Sequence, residues 1–555
     1  MTATETPATS RAHFEFHCRP EDFVHWQLSI EGAIATLRMN VQEDHGMHDH
    51  YRLKLNSYDL GVDIELAAAY QHLRFEHPEV RCVVLTGNLD RVFCAGANIV
   101  MLRTSTHAFK VNFCKFTNET RLFIEDASEF SGLKTLAALN GTASGGGYEL
   151  ALASDHILLV DDRNSAVSLP EVPLLGVLPG TGGLTRVVDK RMVRRDLADV
   201  FCSVAEGIKG KRAVRWNLVD GVAPLSKFDE LVEAASQELV SQSEVSEGLE
   251  GIRLEPAGAT FDESSIHYDM VDVSFDGDAR TASITMNLPS DAGPSTPAEA
   301  HQAGCNWWIF KLFRQFDDAL LHLRLEYLDV GTITLRVVGD PSVIRDTDAL
   351  LDRAKDDWFV REVRLFVKRV LKRLDLTART TFAVADEGTC FVGTFLEIAL
   401  SADRVYLLND PDHPVVMGTS VMNAGAYPMS NGLTRLQTRF LGEPTRADDL
   451  LAETELLDAE QADDMGLATV APDIIDWEDD LRMALEERAS FSPDALTGME
   501  ANLRFAGPET METKIFGRLS AWQNWIFQRP NAVGERGALQ CYGTPNRPEL
   551  DWIRT

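Results

Sequence analysis

The sequence has little positive charge for its size. Its 53 lysine and arginine residues stand against 85 aspartate and glutamate residues, which leaves a net charge of −32. Nucleic-acid binding needs a basic surface that neutralises phosphates, so this balance excludes nucleic acid as an expected partner. A small anionic ligand stays open, because a few local lysine or arginine side chains make a positive pocket on an acidic protein.

Long apolar runs and patterned cysteines are also missing. No stretch approaches about eighteen consecutive apolar residues, so no membrane span is expected. The eight cysteines form no C-x-x-C pair and no zinc-type spacing with histidine, which argues against a cysteine metal site and a disulfide framework and favours the reducing cytoplasm. Residues 1–7 carry no apolar segment after a basic region, so no secretory signal is expected.

What is present is an ordinary globular composition with alternating strand and helix patterns. Apolar residues make up 45% of the 555 residues and charged residues 25%, enough for several domain-sized units. Residues 26–39 alternate like two strands joined at Glu31-Gly32, residues 61–75 carry apolar side chains at helical spacing, and residues 81–87 are typical of a buried strand. Such alternation predicts an α/β fold with a mostly parallel sheet.

Two glutamates lie in settings that suit chemistry on water. Glu149 follows the glycines of residues 145–147, and Glu171 follows Pro170. The loop at residues 95–98 also follows a predicted strand and precedes a predicted helix, so Ala97 and Gly146 each offer a free backbone N–H to a developing oxyanion. A tight turn would explain the glycines alone, and a helix start or a surface position would explain either glutamate alone. Together they predict water addition next to a thioester carbonyl.

The ordered motifs at residues 93–99, 140–149 and 170–180 resemble the crotonase (enoyl-CoA hydratase/isomerase) superfamily over most of residues 26–225. The resemblance implies a β-β-α spiral core, an acyl-CoA thioester substrate and oligomers built through C-terminal helices. It places Ala97 and Gly146 at the oxyanion-hole amides and Glu149 and Glu171 at both catalytic carboxylates of the hydratases. No metal or redox cofactor is expected, because CoA in the substrate supplies the electron sink.

The resemblance extends to further residues around the substrate. Ala95 and Gly145 belong to the two substrate-binding loops, and Lys54 stands where the family often has a basic residue facing the CoA phosphates. Asn98 replaces a common aspartate and should keep the local hydrogen bonding of its loop. Cys114 falls on a helix that lines the acyl pocket in the family and is a candidate for a catalytic or substrate-contact role. The alternative for Cys114 is an ordinary small apolar core residue.

Three segments from the first half of the sequence recur in the second half. Residues 28–40, 141–156 and 182–186 are echoed, in the same order and at nearly constant offset, by residues 273–287, 388–404 and 431–435. Two tandem crotonase-like units are therefore expected, the second degenerate. The predicted division is an N-terminal extension at 1–20, a catalytic domain at 21–255, a degenerate domain at 256–480 and a C-terminal helical oligomerisation segment at 481–555.

The two copies differ where the chemistry would lie. Thr394 and Phe395 stand where the first copy has glycines, and a side chain larger than hydrogen obstructs close backbone approach to a ligand. Ser420 or a neighbour takes the place of Glu171, and the loop at 95–98 has no counterpart. The second unit is predicted to be structural, with Glu397 as a capping or surface residue.

The length, the second unit, the inserted loop with His45, His48 and His50, and the tail at 536–545 are similar to ring-cleaving members of the superfamily. This likeness implies a lyase that opens 2,3-epoxybenzoyl-CoA with two waters, releasing formate and an unsaturated adipyl-CoA semialdehyde during benzoate degradation. An ordinary enoyl-CoA hydratase and a non-catalytic acyl-CoA-binding or scaffold protein stay as alternatives. The histidine loop is expected to be solvated rather than a metal site. A homodimer is expected, with a trimer possible; which glutamate is the acid stays open.

Overall fold

The computed structural model describes residues 13–243 and 248–555. The prediction on residues 1–7 lies outside these ranges. In the described ranges, no helix combines the length and the apolar composition that a membrane crossing requires.

The first half of the chain builds a six-stranded sheet and a smaller three-stranded sheet. The large sheet has the order β1-β2-β3-β5-β7-β9, in which only the β1–β2 pair is antiparallel, and the small sheet has the order β4-β6-β8. The strands are β1 Trp26–Glu31, β2 Ile34–Met39, β3 Cys82–Gly87, β4 Arg91–Cys94, β5 Lys134–Leu139, β6 Gly141–Ser144, β7 His156–Val160, β8 Val167–Ser168 and β9 Gly221–Ala223.

The helices of this half cover and connect the sheets. They are α1 Leu60–Glu76, α2 Ile99–Thr104, α3 His107–Phe130, α4 Gly146–Leu152, α5 Glu171–Leu175, α6 Gly183–Thr185, α7 Arg195–Ser203, α8 Gly210–Arg215 and α9 Leu225–Ser241. Local sequence explains the ends of several elements. Gly32 turns the chain between β1 and β2 with φ of 60°, and the Asp59 side chain caps α1 by accepting from Gly61 N–H at 3.0 Å. The predicted strands at 26–39 and 81–87 and the helix at 61–75 are confirmed.

The second half repeats this arrangement with a seven-stranded sheet of order β10-β11-β12-β13-β14-β15-β17 and a separate β16–β18 pair. The strands from β13 onward are parallel in the large sheet, and so is the β16–β18 pair. The strands are β10 Thr260–Asp262, β11 Ser265–His267, β12 Val271–Asp276, β13 Thr281–Asn287, β14 Thr332–Val338, β15 Thr380–Ala385, β16 Cys390–Val392, β17 Arg404–Leu407 and β18 Val416–Gly418.

Helices again connect these strands, and a helical segment ends the chain. The connecting helices are α10 Pro297–Ala303, α11 Trp308–Leu325, α12 Pro341–Arg353, α13 Trp358–Leu376, α14 Leu396–Ser401, α15 Arg435–Arg439, α16 Pro444–Ala452 and α17 Ala459–Asp464. The terminal ones are α18 Trp477–Ala489, α19 Pro493–Leu503, α20 Met511–Lys514, α21 Ser520–Ile526, α22 Pro530–Val533 and α23 Ala538–Cys541. Phe516 and Phe527 of this segment are exposed.

Buried ion pairs join the two halves. The fully buried Arg74 guanidinium of α1 contacts Glu362 of α13 at 2.8 Å and Asp126 of α3 at 3.0 Å. Glu119 of α3 pairs with Arg324 of α11 at 2.7 Å and also with Arg373 of α13. Removing one partner of such a pair leaves a buried charge without compensation, so these contacts fix the two halves against each other.

Candidate active site

The loop between β4 and α2 is held by backbone pairing with the segment before α1. Tyr58 N–H donates to Gly96 O at 3.1 Å, and Asn98 N–H donates to Tyr58 O at 2.8 Å. This pairing skips Ala97, whose N–H has no acceptor among the residues that the structure describes. The loop therefore presents one unused backbone donor beside the predicted oxyanion hole.

Asn98 keeps this loop in shape through its side chain. Its Oδ1 accepts from Met101 N–H at 2.9 Å and so caps α2, while its Nδ2 donates to Arg52 O at 2.7 Å and to Ser57 Oγ at 3.1 Å. The prediction that Asn98 preserves the local hydrogen bonding is confirmed. These bonds all run within the protein, so Asn98 fixes the shape of the loop.

Each glycine of residues 145–147 faces a different close neighbour. Gly145 has φ of 53°, and a Cβ there would lie 2.7 Å from Glu171 Oε1. A Cβ at Gly146 would collide with the Tyr58 hydroxyl, and one at Gly147 would lie 2.5 Å from Cys94 O. The triplet is therefore more than a turn, since all three positions need the absence of a side chain.

The two loops meet at the start of α4. A Cβ at Gly96, where φ is 91°, would lie 2.9 Å from Gly146 N. The Gly146 N–H opens α4 and has no acceptor in the part of the chain that the structure describes. Two free amides on touching loops, from Ala97 and Gly146, form an arrangement that suits an oxyanion.

Glu149 is buried and held on both oxygens. Its Oε1 accepts from Thr181 N–H at 2.9 Å and from Gly183 N–H at 2.8 Å, and its Oε2 accepts from Thr181 Oγ1. Burial raises the pKa of Glu149, while the Thr181 and Gly183 donors and the nearby Arg121 charge oppose that rise. The donors fix the carboxylate in place and favour its ionised form.

Glu171 is nearly as buried as Glu149, at 8% exposure, but its carboxyl group accepts fewer hydrogen bonds. Its Oε2 has no hydrogen-bond partner among the described residues. Burial raises the pKa of Glu171 to about 7, and the negative charge of Glu149 adds to the rise. The charge of Glu149 thus acts on Glu171, and two buried carboxyl groups with different hydrogen bonding are the pattern of an acid and base pair.

Cys114 and Lys54 differ in exposure, because Cys114 is half-buried and Lys54 is exposed. Cys114, on α3, is half-buried against the core of the first half. Burial raises the pKa of its thiol to about 11, with Glu149 contributing, so the group is a neutral thiol near pH 7 and a poor nucleophile. Lys54 is exposed and forms no ion pair with any described residue, which leaves its ammonium free for an anionic ligand.

Thr181 and Gly183 were not predicted as site residues. Their segment was noticed only as part of the repeat at residues 182–186, and nothing local in the sequence links it to Glu149, which lies 32 positions earlier. Tyr58 was also missed. Its hydroxyl is buried beside Gly146 without a hydrogen-bond partner among the described residues.

The histidine loop is exposed at His45, His48 and His50, as expected of a solvated segment. The rings of His48 and His50 stack with centroids 5.5 Å apart, and His50 Nε2 lies 2.9 Å from Thr104 Oγ1.

The prediction that Glu397 is a capping or surface residue is wrong. Glu397 is 2% exposed and contacts Arg435 Nη1 at 3.0 Å and Asn423 Nδ2 at 2.7 Å. Arg435 in turn pairs with the buried Asp375 at 2.7 Å. A buried carboxylate is tolerated here because an arginine compensates its charge, and both of its oxygens are already used.

Comparison with known proteins places these features in a family. Residues 49–248 match the family model described as enoyl-CoA hydratase/isomerase. The chain is 53% identical to a benzoyl-CoA-dihydrodiol lyase from Aromatoleum evansii over 541 residues, which are 97% of this chain and 98% of the relative.

More distant relatives match a smaller part of the chain. A carnitinyl-CoA dehydratase from Salmonella typhi is 28% identical over 194 residues, 35% of this chain and 69% of the relative. A solved enoyl-CoA hydratase structure from Geobacillus kaustophilus HTA426 is 30% identical, covers 40% of this chain and 75% of that one, and has a TM-score of 0.35.

Proposed function

Because the chain belongs to the crotonase (enoyl-CoA hydratase/isomerase) superfamily, we propose that it is a ring-opening lyase of the benzoyl-CoA-dihydrodiol lyase type. Its substrate is 2,3-epoxybenzoyl-CoA. Two waters are consumed, and the products are formate and an unsaturated adipyl-CoA semialdehyde. Identity of 53% along 97% of the chain to a benzoyl-CoA-dihydrodiol lyase supports this choice over an ordinary enoyl-CoA hydratase.

The proposal rests on one observation above the others: two buried glutamates, one held by hydrogen bonds on both oxygens and one with an unpartnered Oε2 among the described residues, lie beside two free backbone amides. The amides of Ala97 and Gly146 hold the thioester oxygen as negative charge develops on it. Donors already fixed in place stabilise that charge without rearranging during the reaction.

We propose different tasks for the two carboxyl groups. The Thr181 and Gly183 donors favour the ionised form of Glu149, so we give it the role of taking the proton from the attacking water. Glu171, with a pKa raised to about 7, carries a proton below that pH and donates it to the departing oxygen or the ring carbon. Cys114 contacts the ring as a neutral thiol, and Lys54 faces the CoA phosphates.

The proposal extends to cofactor, partner and location. The epoxide plus two waters balances against formate plus semialdehyde without an external oxidant or reductant, so the reaction needs no redox cofactor. No metal is proposed, because CoA in the substrate supplies the electron sink. The acyl-CoA is the small-molecule partner, and neither nucleic acid nor membrane takes part. The eight cysteines are free thiols, which fits a cytoplasmic homo-oligomer, with the apolar residues of the terminal helices supporting a dimer.

Substitution of each glutamate by its amide tests the proposal. We expect Glu149→Gln and Glu171→Gln each to lower kcat for formate release from 2,3-epoxybenzoyl-CoA by about 10²–10⁴-fold, the usual contribution of a positioned acid or base. Glu206→Gln is the matched control, because Glu206 is exposed and its side chain forms no hydrogen bond or ion pair with a described residue. It should retain full activity.

The alternatives make different predictions in the same assay. Rapid hydration of crotonyl-CoA with no formate from the epoxide would indicate an ordinary hydratase. Tight binding of the acyl-CoA with no turnover of either compound would indicate a binding or scaffold protein. Unchanged turnover in both amide variants would exclude the two-carboxylate mechanism.

A further inference from the structure

The strand pairing of the two halves identifies the counterpart of the oxyanion hole in the second half. In the first half Ser144 pairs with Ser168, and Gly145 follows with φ of 53°. In the second half Val392 pairs with Gly418, and Gly393 follows, also with φ of 53°. Counting onward from these glycines aligns Thr394 with Gly146 and Glu397 with Glu149.

A carboxylate of the chain itself fills the space in front of this second turn. Asp348, on α12, is fully buried. Its Oδ2 accepts from Thr394 N–H at 2.9 Å and from Ser420 Oγ at 2.6 Å, and its Oδ1 accepts from Thr394 Oγ1 at 2.5 Å. A Cβ at Gly393 would collide with Asp348 Oδ2. The amide that corresponds to the free Gly146 N–H is thus donated to an internal anion.

The rest of the hole has been replaced as well. In the first half the segment after β4 forms the loop that exposes the Ala97 N–H. In the second half α12 starts at Pro341, three residues after β14 ends at Val338, and brings Asp348 to the turn. The strand register puts Ser420 level with Pro170, and its hydroxyl supplies a donor that the first half lacks. All three donors around Asp348 therefore point at one carboxylate.

We propose that the second half retains a carboxylate-binding site of the oxyanion-hole type and that Asp348 occupies it permanently. The side chain accepts the Thr394 N–H that corresponds to the free Gly146 N–H, so this half is closed to acyl-CoA by its own ligand as well as by the replacement of the neighbouring loop. The inference does not depend on the ring-opening reaction. Its ligand class is a small carboxylate, represented by acetate and formate.

Truncation of Asp348 tests the proposal on the full-length protein. Asp348→Ala leaves the donors of Thr394 and Ser420 without an acceptor and opens space for a free carboxylate. We expect a lower Tm for this variant, and sodium acetate or formate should raise it by at least about 2 °C relative to sodium chloride at equal ionic strength. The matched control is Asp346→Ala, because Asp346 is exposed on the same helix and its side chain contacts no hydrogen-bond or ion-pair partner among the described residues.

Further outcomes separate the proposal from a merely structural role of Asp348. Asp348→Asn keeps the space filled, so acetate should leave its Tm unchanged. Equal responses of the Asp348→Ala and Asp346→Ala variants to acetate would overturn the proposal. If Asp348→Ala does not fold unaided, its refolding yield is compared in acetate and in chloride, and equal yields or no folding in either salt would overturn it too.

Discussion

Glu149 and Glu171 show how one residue type is given two roles by its surroundings. Glu149 receives three hydrogen bonds on two oxygens, whereas Glu171 leaves Oε2 without a partner among the described residues. Hydrogen bonds to the charged form lower a carboxyl pKa, and burial without them raises it. The sequence identified both residues but could not rank them, because the ranking comes from Thr181 and Gly183.

The pH dependence of turnover is expected to follow Glu171. Its folded-state pKa is raised from 4.5 to about 7, so as the acid it is active below that pH. We predict that kcat falls as pH rises through about 7 and that the Glu171→Gln variant lacks this limb in a pH–rate profile. A wild-type kcat that rises through pH 7 would instead make Glu171 the base.

The same shift predicts a stability effect with a defined sign. A raised folded-state pKa contributes stability that is fully present below pH 4.5 and is lost as pH rises through about 7. The Tm of the wild type relative to that of Glu171→Gln should therefore fall as pH rises from 4.5 through about 7 and stay constant above that window.

At the scale of the element, the features that depend on nearby residues could be predicted from the sequence, and those that depend on distant residues could not. The strands β1 and β2 and the helix α1 follow from side-chain periodicity and from a turn glycine or a capping aspartate, which are signals within a few residues. The burial of Glu397 was missed because its partner Arg435 lies 38 positions away. The residues near Glu397 in the sequence do not indicate that an arginine compensates its charge in the folded chain.

The turn that starts α4 should tolerate no side chain. Gly146→Ala places a Cβ against the Tyr58 hydroxyl and displaces the amide that faces the oxyanion. We expect kcat to fall by about 10²–10³-fold, as for the loss of one oxyanion donor. Gly180→Ala is the control, because Gly180 is exposed and a Cβ there meets only Leu178 O at 3.7 Å. Similar activity in the two variants would contradict the assignment of the Gly146 amide.

At the scale of the whole molecule, the repeat in the sequence has a counterpart in the two sheet systems. The sequence repeat aligns Gly145 with Gly393, and the structure gives both glycines the same φ of 53°. The repeat did not reveal the ion pairs that join α1 and α3 to α11 and α13, because these pairs connect residues more than 200 positions apart, such as Arg74 and Glu362. Residues that far apart leave no local pattern in a single sequence.

These ion pairs predict that the halves unfold together. Arg74→Ala leaves the buried Glu362 without a cation, whereas Asp126 keeps Lys368 and Arg369. We expect the substitution to lower the free energy of unfolding by about 3–5 kcal/mol. Arg103→Ala is the control, because Arg103 is exposed and forms no ion pair in the part of the chain that the structure describes. Calorimetry checks both variants; an Arg74→Ala Tm equal to that of the control would contradict the prediction.

The Glu119 contacts have a consequence for how this chain can change over evolutionary time. Glu119 lies on α3, the helix that also carries Cys114 near Glu149, and it is held by Arg324 and Arg373 from the other half. The second half is thus free to vary around its closed turn but not along α11 and α13. The second half would therefore have to be retained even without a reaction of its own, because the catalytic half depends on its contacts with Glu119.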